Sequence, residues 1–315
     1  MNYEDLMKRA ISLADQYKYT AKPNPVVGCI IVKNKAIISE GAHKEFGSHH
    51  AEVNAIEEAK KLQGISFVSF EELTLICTLE PCNHSGKTGP CTEAIINSGI
   101  KNVIIGAEDP NPLVSGSGIK NLISHGVAVK TGVCAELVQE QNKFFFFKNT
   151  HKRPYITIKI ASSKDGKSHL ADGDRTFITS KESREDVQEL RAIHDAILTG
   201  GNTVVNDLPK MNARVNFPLN QPNKILLSNK TNFDLSAEYF KDCNYEILNE
   251  TDPKLVNSFL DSGLVDEIII YESQNNLGAN GVDWFKEDNA VEKLGFKLES
   301  SYKIETDTKK IYIKC

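Results

Sequence analysis

The chain has 315 residues, 40% of them hydrophobic and 25% charged, with a formal net charge of −5. That length accommodates two ordinary domains, each with its own core, and the balance is that of a soluble globular protein. With no basic block, tight sequence-independent binding to nucleic acid is excluded, since that affinity comes from lysine and arginine neutralising phosphates.

The start, Met1-Asn2-Tyr3-Glu4-Asp5, carries acids where a signal peptide carries a basic segment, and no apolar run reaches membrane-spanning length. A cytoplasmic protein is expected. Leu6, Ala10, Leu13, Ala14 and Tyr17 recur at helical spacing and predict a first amphipathic helix. Val26 to Val32 and Ala36 to Ser39 are apolar runs around Lys33-Asn34-Lys35, which reads as a hairpin. A helix over 51–62, a strand over 73–78, a helix over 92–98 and a strand over 102–106 follow. A helix over 118–125, a strand over 127–131 and one long helix over 134–147 complete a layered α/β unit. At Asn149-Thr150-His151-Lys152-Arg153-Pro154 the pattern breaks into polar residues and a proline, so the domains are expected to be 1–149 and 150–315. The run Phe144 to Phe147 just before that break reads as packing at an interdomain core, with a ligand-stacking surface as the alternative. The second half alternates again, with strands over 155–159, 195–199, 224–228, 245–248 and 267–271, helices over 181–193 and 253–260, and terminal strands near 297–304 and 309–313.

Seven cysteines, an odd number, make a disulfide framework a poor explanation in such a chain. Two of them belong to a pattern that carries chemistry. His50-Ala51-Glu52 precedes Pro81-Cys82 and Pro90-Cys91, and each Pro-Cys pair follows a strand-like run or precedes a helix-like one. A catalytic zinc takes three protein ligands and keeps a position for water, whose pKa it lowers. His50, Cys82 and Cys91 are the candidate ligands of one Zn²⁺ per chain. Glu52 is the candidate catalytic residue, free to take the water's proton and return it to a ring nitrogen and to departing ammonia, as in nucleobase deaminases. A closed structural zinc site would need a fourth ligand, for which His49 and His84 are the near candidates. Cys29, Cys77, Cys134, Cys243 and Cys315 read as small buried residues or inert thiols.

Eight residues separate the two ligand cysteines, Asn83 to Pro90, where nucleobase deaminases commonly have two. The loop combines His84 and Lys87 with glycines that let backbone approach a ligand, which suits a phosphate beside the base. Asn24-Pro25-Val26-Val27-Gly28, Gly41-Ala42-His43, His50 to Ala55, Leu79 to Cys91 and Asp109-Pro110-Asn111-Pro112 together resemble the RibD family of bifunctional riboflavin biosynthesis deaminase-reductases. The resemblance runs through the whole first half. It implies a cytidine-deaminase-like α/β/α domain acting on 2,5-diamino-6-ribosylamino-4(3H)-pyrimidinone 5′-phosphate, with Asn24, His43, Asp109 and Asn111 at the pyrimidine and ribose and His84 and Lys87 near the phosphate.

Lys159 to Lys167, Phe177-Ile178-Thr179-Ser180 and Ala196 to Val204 resemble the same family's reductase, a dihydrofolate-reductase-like α/β domain that uses NADPH to reduce the ribosyl chain to ribityl. By that match Lys159, Arg191, Met211 through its backbone, Arg214 and Glu250 would hold substrate, and Ala161, Phe177, Thr203, Asp207 and Ser228 would contact NADPH. Two arginines suit a phosphate, which a guanidinium engages with paired hydrogen bonds. This half departs from the family pattern: the stretch between Ser228 and Glu250 is short, Asp252 stands where a glycine-containing phosphate loop is usual, and Phe177 and Arg175 replace a common tryptophan and a small polar residue. A working reductase and a degenerate domain serving oligomerisation or substrate presentation are therefore both carried forward. The resemblance also implies a homo-oligomer, dimer or tetramer. The rivals for the first half are a tRNA adenosine or free cytosine deaminase, which would have a short Cys-x-x-Cys, and a zinc-stabilised binding module. No membrane or nucleic-acid partner is expected.

Overall fold

The computed structural model describes residues 2–62, 70–84, 89–111, 114–172, 177–200, 210–227, 245–248, 255–285 and 291–315. The chain divides into two compact units, Met1–Pro154 with Pro218–Asn220, and Tyr155–Phe217 with Gln221–Cys315.

The first unit opens with α1 (Tyr3–Asp15), whose N-terminus is closed by a capping box: Asn2 accepts from the Asp5 amide and Asp5 accepts from the Asn2 amide. The hairpin strands β1 (Gly28–Lys33) and β2 (Ala36–Ala42) join through Asn34 and Lys35, both at positive φ (50° and 65°), the two-residue turn whose twist matches the strands. Then come α2 (Ala51–Leu62), β3 (Thr74–Leu79), α3 (Cys91–Ser98), β4 (Asn102–Ala107), α4 (Ser117–Ser124), β5 (Ala128–Lys130), α5 (Ala135–Gln141) and α6 (Lys143–His151). The sheet order is β2-β1-β3-β4-β5, with β1 antiparallel to both β2 and β3 and the β3-β4-β5 pairs parallel.

Both sheet faces are covered, and the strand residues sort by alternation. Cys29, Ile31, Leu75, Cys77, Val103 and Ile105 pack with Ala51, Ala55 and Ile56 of α2, Ile95 of α3 and Leu122 of α4. Ile30, Val32, Ile76 and Ile104 face Leu6, Met7 and Ala10 of α1. Truncating a fully buried member such as Ile76 to alanine costs about 2–5 kcal/mol. Cys29 and Cys77, cross-strand neighbours and both fully buried, are apolar fillers as the sequence reading expects. Gly41 lets β2 approach α2 closely: a Cβ there would lie 2.3 Å from the Ala51 carbonyl oxygen.

The long helix expected over 134–147 is two helices, broken at Asn142. Asn142 is buried, accepts from the Val26 amide (2.8 Å) and donates to the Val26 carbonyl (3.1 Å). A side chain that mimics a peptide partner in this way satisfies otherwise orphaned backbone groups, and its φ of −113° departs from the helical value.

The second unit contains β6 (Thr157–Ser162), β7 (Lys167–Leu170), α7 (Lys181–Ile193), β8 (Ala196–Gly200), β9 (Asn223–Leu227), β10 (Tyr245–Leu248), α8 (Leu255–Asp261), β11 (Glu267–Glu272), β12 (Gly281–Asp283), β13 (Phe296–Ile304) and β14 (Asp307–Lys314). β8, β9 and β10 form a parallel sheet, and β13-β14-β11-β6 form another in which β6 and β11 run parallel. Ile158, Ile160, Ile268 and Ile270 pack there with Leu260, Trp284, Phe296 and Tyr312. The short pair β7 and β12 was not expected; neither strand carries an apolar run long enough to announce itself.

Candidate active site

Three element ends in the first unit converge at the C-terminal end of β3. His50 directly precedes α2, and its carbonyl accepts the Asn54 amide, so it caps the helix on which Glu52 occupies the first turn. Cys82 follows β3. Cys91 opens α3, where its amide points at the Cys82 sulfur at 3.4 Å. A helix N-terminus stabilises negative charge on such thiolates. Asn83, next to Cys82, is tied to α3 and α4: its Oδ1 accepts from Thr92 and from Asn121, each at 2.8 Å.

The donor atoms of His50, Cys82 and Cys91 lie within 4.8 Å of one another. His50 Nδ1 is 3.2 Å from Cys91 Sγ and 3.5 Å from Cys82 Sγ. Tetrahedral zinc with bonds of about 2.0–2.3 Å needs N and S donors about 3.6 Å apart, so the set fits a zinc ion with one open position. Hydrogen bonding from Cys91, aided by His50, lowers the pKa of Cys82, which keeps a thiolate available as a ligand. Glu52 is 3% exposed, and burial, then the nearby Cys82 charge, raise its carboxyl to about 7. A carboxyl poised there can both take and return a proton at neutral pH.

A cavity of about 340 Å³ opens in front of these groups and is lined by Asn24, His43, His84, Asp109 and Asn111 as well as His50, Glu52 and Cys82. Thus the first-unit residues expected from sequence come together, except Lys87, which lies outside the described residues. His43 Nδ1 lies 3.2 Å from the His49 carbonyl and its Nε2 lies 3.0 Å from Asn24 Nδ2. That pairing assigns the proton to Nδ1 and makes Nε2 an acceptor. Burial lowers the His43 pKa, against the opposing effect of its hydrogen bond to the His49 carbonyl.

One contributor escaped the sequence reading, and another was named there only as the alternative. Glu80, 4% exposed, accepts four backbone N–H groups: Gly118 (3.0 Å) and Ile119 (3.3 Å) at Oε1, Asp109 (3.1 Å) and Gly116 (3.0 Å) at Oε2. It fastens the Asp109–Asn111 corner, in which Asp109 Oδ1 also accepts the Asn111 amide, to the end of β3. The signal was present in Leu79-Glu80-Pro81-Cys82, but nothing local distinguishes a buried carboxylate from a solvated one. The second is Phe145, one of the run read mainly as packing with a ligand-stacking surface as the alternative, which lines the cavity from α6.

In the second unit a cavity of about 220 Å³ is lined by Lys159, Ala161, Phe177, Arg191 and Arg214 together with Tyr271. Arg191 Nη1 donates to the Asn212 carbonyl and Arg214 Nη1 to the Asn212 side chain, both at 3.3 Å. Lys159 reaches water through the cavity yet is set deep among protein atoms; that desolvation, and then Arg191, lower its pKa. Burial, and then Arg214, do the same to Arg191. Lys159, Arg191 and Arg214 thus bring positive charge to one cavity, an arrangement that can receive an anion. Met211 is buried, with φ of +48°, and its side chain does not line this cavity. Thr203, Asp207, Ser228 and Glu250, like Arg175 and Asp252, lie outside the described residues.

Residues 1–107 match the family described as cytidine and deoxycytidylate deaminase zinc-binding region, and residues 154–253 match the RibD C-terminal domain. The riboflavin biosynthesis protein RibD of Aquifex aeolicus is 44% identical over 236 residues, 75% of this chain and 64% of its own length. That of Haemophilus influenzae is 33% identical over 283 residues, 86% of this chain and 73% of its own. The chain spans about three fifths of the Aquifex and Bacillus amyloliquefaciens relatives (64% and 62%). Among solved structures, Acinetobacter baumannii RibD superposes with a TM-score of 0.89 at 31% identity, covering 99% of both chains. A Thermotoga maritima diaminohydroxyphosphoribosylaminopyrimidine deaminase/5-amino-6-(5-phosphoribosylamino)uracil reductase superposes with a TM-score of 0.81 at 34% identity over 99% of each. The first unit therefore has the cytidine-deaminase-like fold, and the second that of the RibD C-terminal domain.

Proposed function

The chain belongs to the RibD family of riboflavin biosynthesis proteins, and from that membership we propose that it deaminates 2,5-diamino-6-ribosylamino-4(3H)-pyrimidinone 5′-phosphate and then reduces the ribosyl chain of the product with NADPH. The observation that carries the first step is the convergence of the His50, Cys82 and Cys91 donor atoms beside the cavity that the buried Glu52 lines with His50 and Cys82. When bound, zinc acidifies a water so that hydroxide is available near neutral pH. Glu52 accepts the proton that water gives up and passes it to a ring nitrogen, then takes the proton of the hydroxyl added to the ring carbon and delivers it to the departing ammonia; its raised pKa suits it to hold and release a proton in each transfer. His43, held by the His49 carbonyl at Nδ1, accepts from Asn24 at Nε2 and so fixes the Asn24 amide on the cavity wall. Asp109 and Asn111 are assigned to the ribose and the pyrimidine edge, and His84 and Lys87 to the phosphate.

For the second step NADPH supplies the hydride. Lys159, Arg191 and Arg214 hold the substrate phosphate through their converging positive charge, with the Met211 backbone and Glu250 completing the substrate contacts. Ala161, Phe177, Thr203, Asp207 and Ser228 contact NADPH. The domains expected from sequence, 1–149 and 150–315, carry the two activities. Among the described residues no helix is long and apolar enough to cross a membrane. Cytoplasmic location and homo-oligomeric assembly, dimer or tetramer, belong to the same proposal and rest on the family.

The test is a coupled assay on zinc-loaded protein. Ammonia release from the diaminopyrimidine followed by oxidation of NADPH supports both steps. Deamination without NADPH oxidation leaves the second unit as a degenerate domain, and absence of both refutes the assignment.

A further inference from the structure

The four adjacent phenylalanines of α6 do not share one role. Phe145 and Phe146 pack on Leu79, Ala107 and Val138, and their rings meet edge to face at 6.0 Å. Phe147 is stacked on His151 at 4.1 Å, with the Arg153 guanidinium 4.7 Å from its ring centre. Of the four, Phe145 is the one that lines the deaminase cavity, on the same wall set as Asn24, His43 and Glu52. It is half-buried, so part of the ring is held by the core and part is left facing the cavity.

Its placement is built rather than incidental. Asn142 interrupts the helix three residues earlier and binds both the N–H and the C=O of Val26. Val26 lies between Asn24 and Val27, which line the same cavity. One buried side chain thus fixes the start of α6 against the segment that carries Asn24. A turn later, at i+3, Phe145 falls on that face of the helix. His43, Asn24 and the aromatic Phe145 therefore line one cavity.

We propose that Phe145 is a specificity-determining residue of the deaminase site, its ring bearing on the face of the heterocycle while His43 and Asn24 bear on its edge. This rests on the deaminase reading above. A face contact with a planar base is worth about 1–3 kcal/mol by truncation, so losing it raises KM by about 5- to 150-fold with little change in kcat.

The experiment compares Phe145→Leu, Phe145→Tyr and Phe146→Leu in the full-length, zinc-loaded protein, measuring kcat and KM for deamination, zinc per chain, and the Ki of ribose 5-phosphate, which lacks the heterocycle. Phe145→Leu is expected to raise KM about tenfold while zinc content and the ribose 5-phosphate Ki stay at wild-type values. Phe145→Tyr should stay within about twofold, and Phe146→Leu should lower the melting temperature without raising KM. Unchanged KM in Phe145→Leu, or an equal rise in both leucine variants, overturns the proposal. A wild type that is inactive on this pyrimidine overturns the deaminase reading itself and the face contact with it.

Discussion

Replacing Glu80 by glutamine changes one atom and tests whether the Asp109–Asn111 corner is held as described. In the wild type two carboxylate oxygens take four backbone amides, Gly118 and Ile119 on one, Asp109 and Gly116 on the other. A glutamine keeps one carbonyl oxygen, and in either orientation its NH₂ faces two N–H groups that then have no acceptor. Each lost bond to a charged acceptor is worth about 1.5–3 kcal/mol, so the loss is about 3–6 kcal/mol. With a urea m-value of about 3 kcal/mol/M the unfolding midpoint of the first unit falls by about 1–2 M. Hydrogen exchange at the amides of 109, 116, 118 and 119 should accelerate together, and KM for the pyrimidine should rise while zinc is retained, because none of the three ligands is touched. Unchanged protection at those four amides with a midpoint within experimental error would refute the reasoning.

Other expectations follow from the same geometry. The folded-state pKa of His43 is lowered, so its contribution to stability is fully present above its unfolded value of about 6.5 and is lost as pH falls through the folded value. His43→Gln should therefore flatten the drop in urea midpoint between pH 7.5 and about 5.5, and an unflattened drop counts against the neutral, buried imidazole. Asn142→Ala leaves the Val26 N–H and C=O unpaired and should cost about 2–4 kcal/mol in denaturant unfolding; a cost below about 0.5 kcal/mol would mean that the helix break does not depend on this side chain. Gly41→Ala places a Cβ 2.3 Å from the Ala51 carbonyl oxygen and 2.4 Å from the Ala55 amide nitrogen, backbone atoms that yield only if α2 moves. A loss of about 3 kcal/mol or more, with reduced zinc per chain, is expected; full zinc content and wild-type stability would contradict the close approach.

What the sequence displayed was local. The zinc ligands and Glu52 were legible because motif and element boundary coincide: His50 at the start of α2, Cys82 at the end of β3, Cys91 at the start of α3. The first-unit strands were legible because alternation and apolar runs carry a period. What was not legible depends on contacts distant in sequence. The break at Asn142 is caused by a partner at Val26, so the helical pattern over 134–147 runs through it without interruption. Glu80 reads as one more acid until its four amides are gathered from 109–119. Phe145 was grouped with its neighbours because four identical residues carry no periodic signal, and only the helix sorts them between core and cavity. In the second unit, β7 and β12 stabilise each other across more than a hundred residues and neither shows a strand pattern alone.

The most direct measurement is the rate of ammonia release from the diaminopyrimidine by zinc-loaded wild type and Glu52→Gln, with zinc determined on the same samples. One zinc per chain in both proteins, with release by the wild type and a fall of about 10³-fold or more in the variant, is the predicted result, since one carboxyl serves both proton transfers. An unchanged rate in Glu52→Gln at full zinc occupancy would contradict the account.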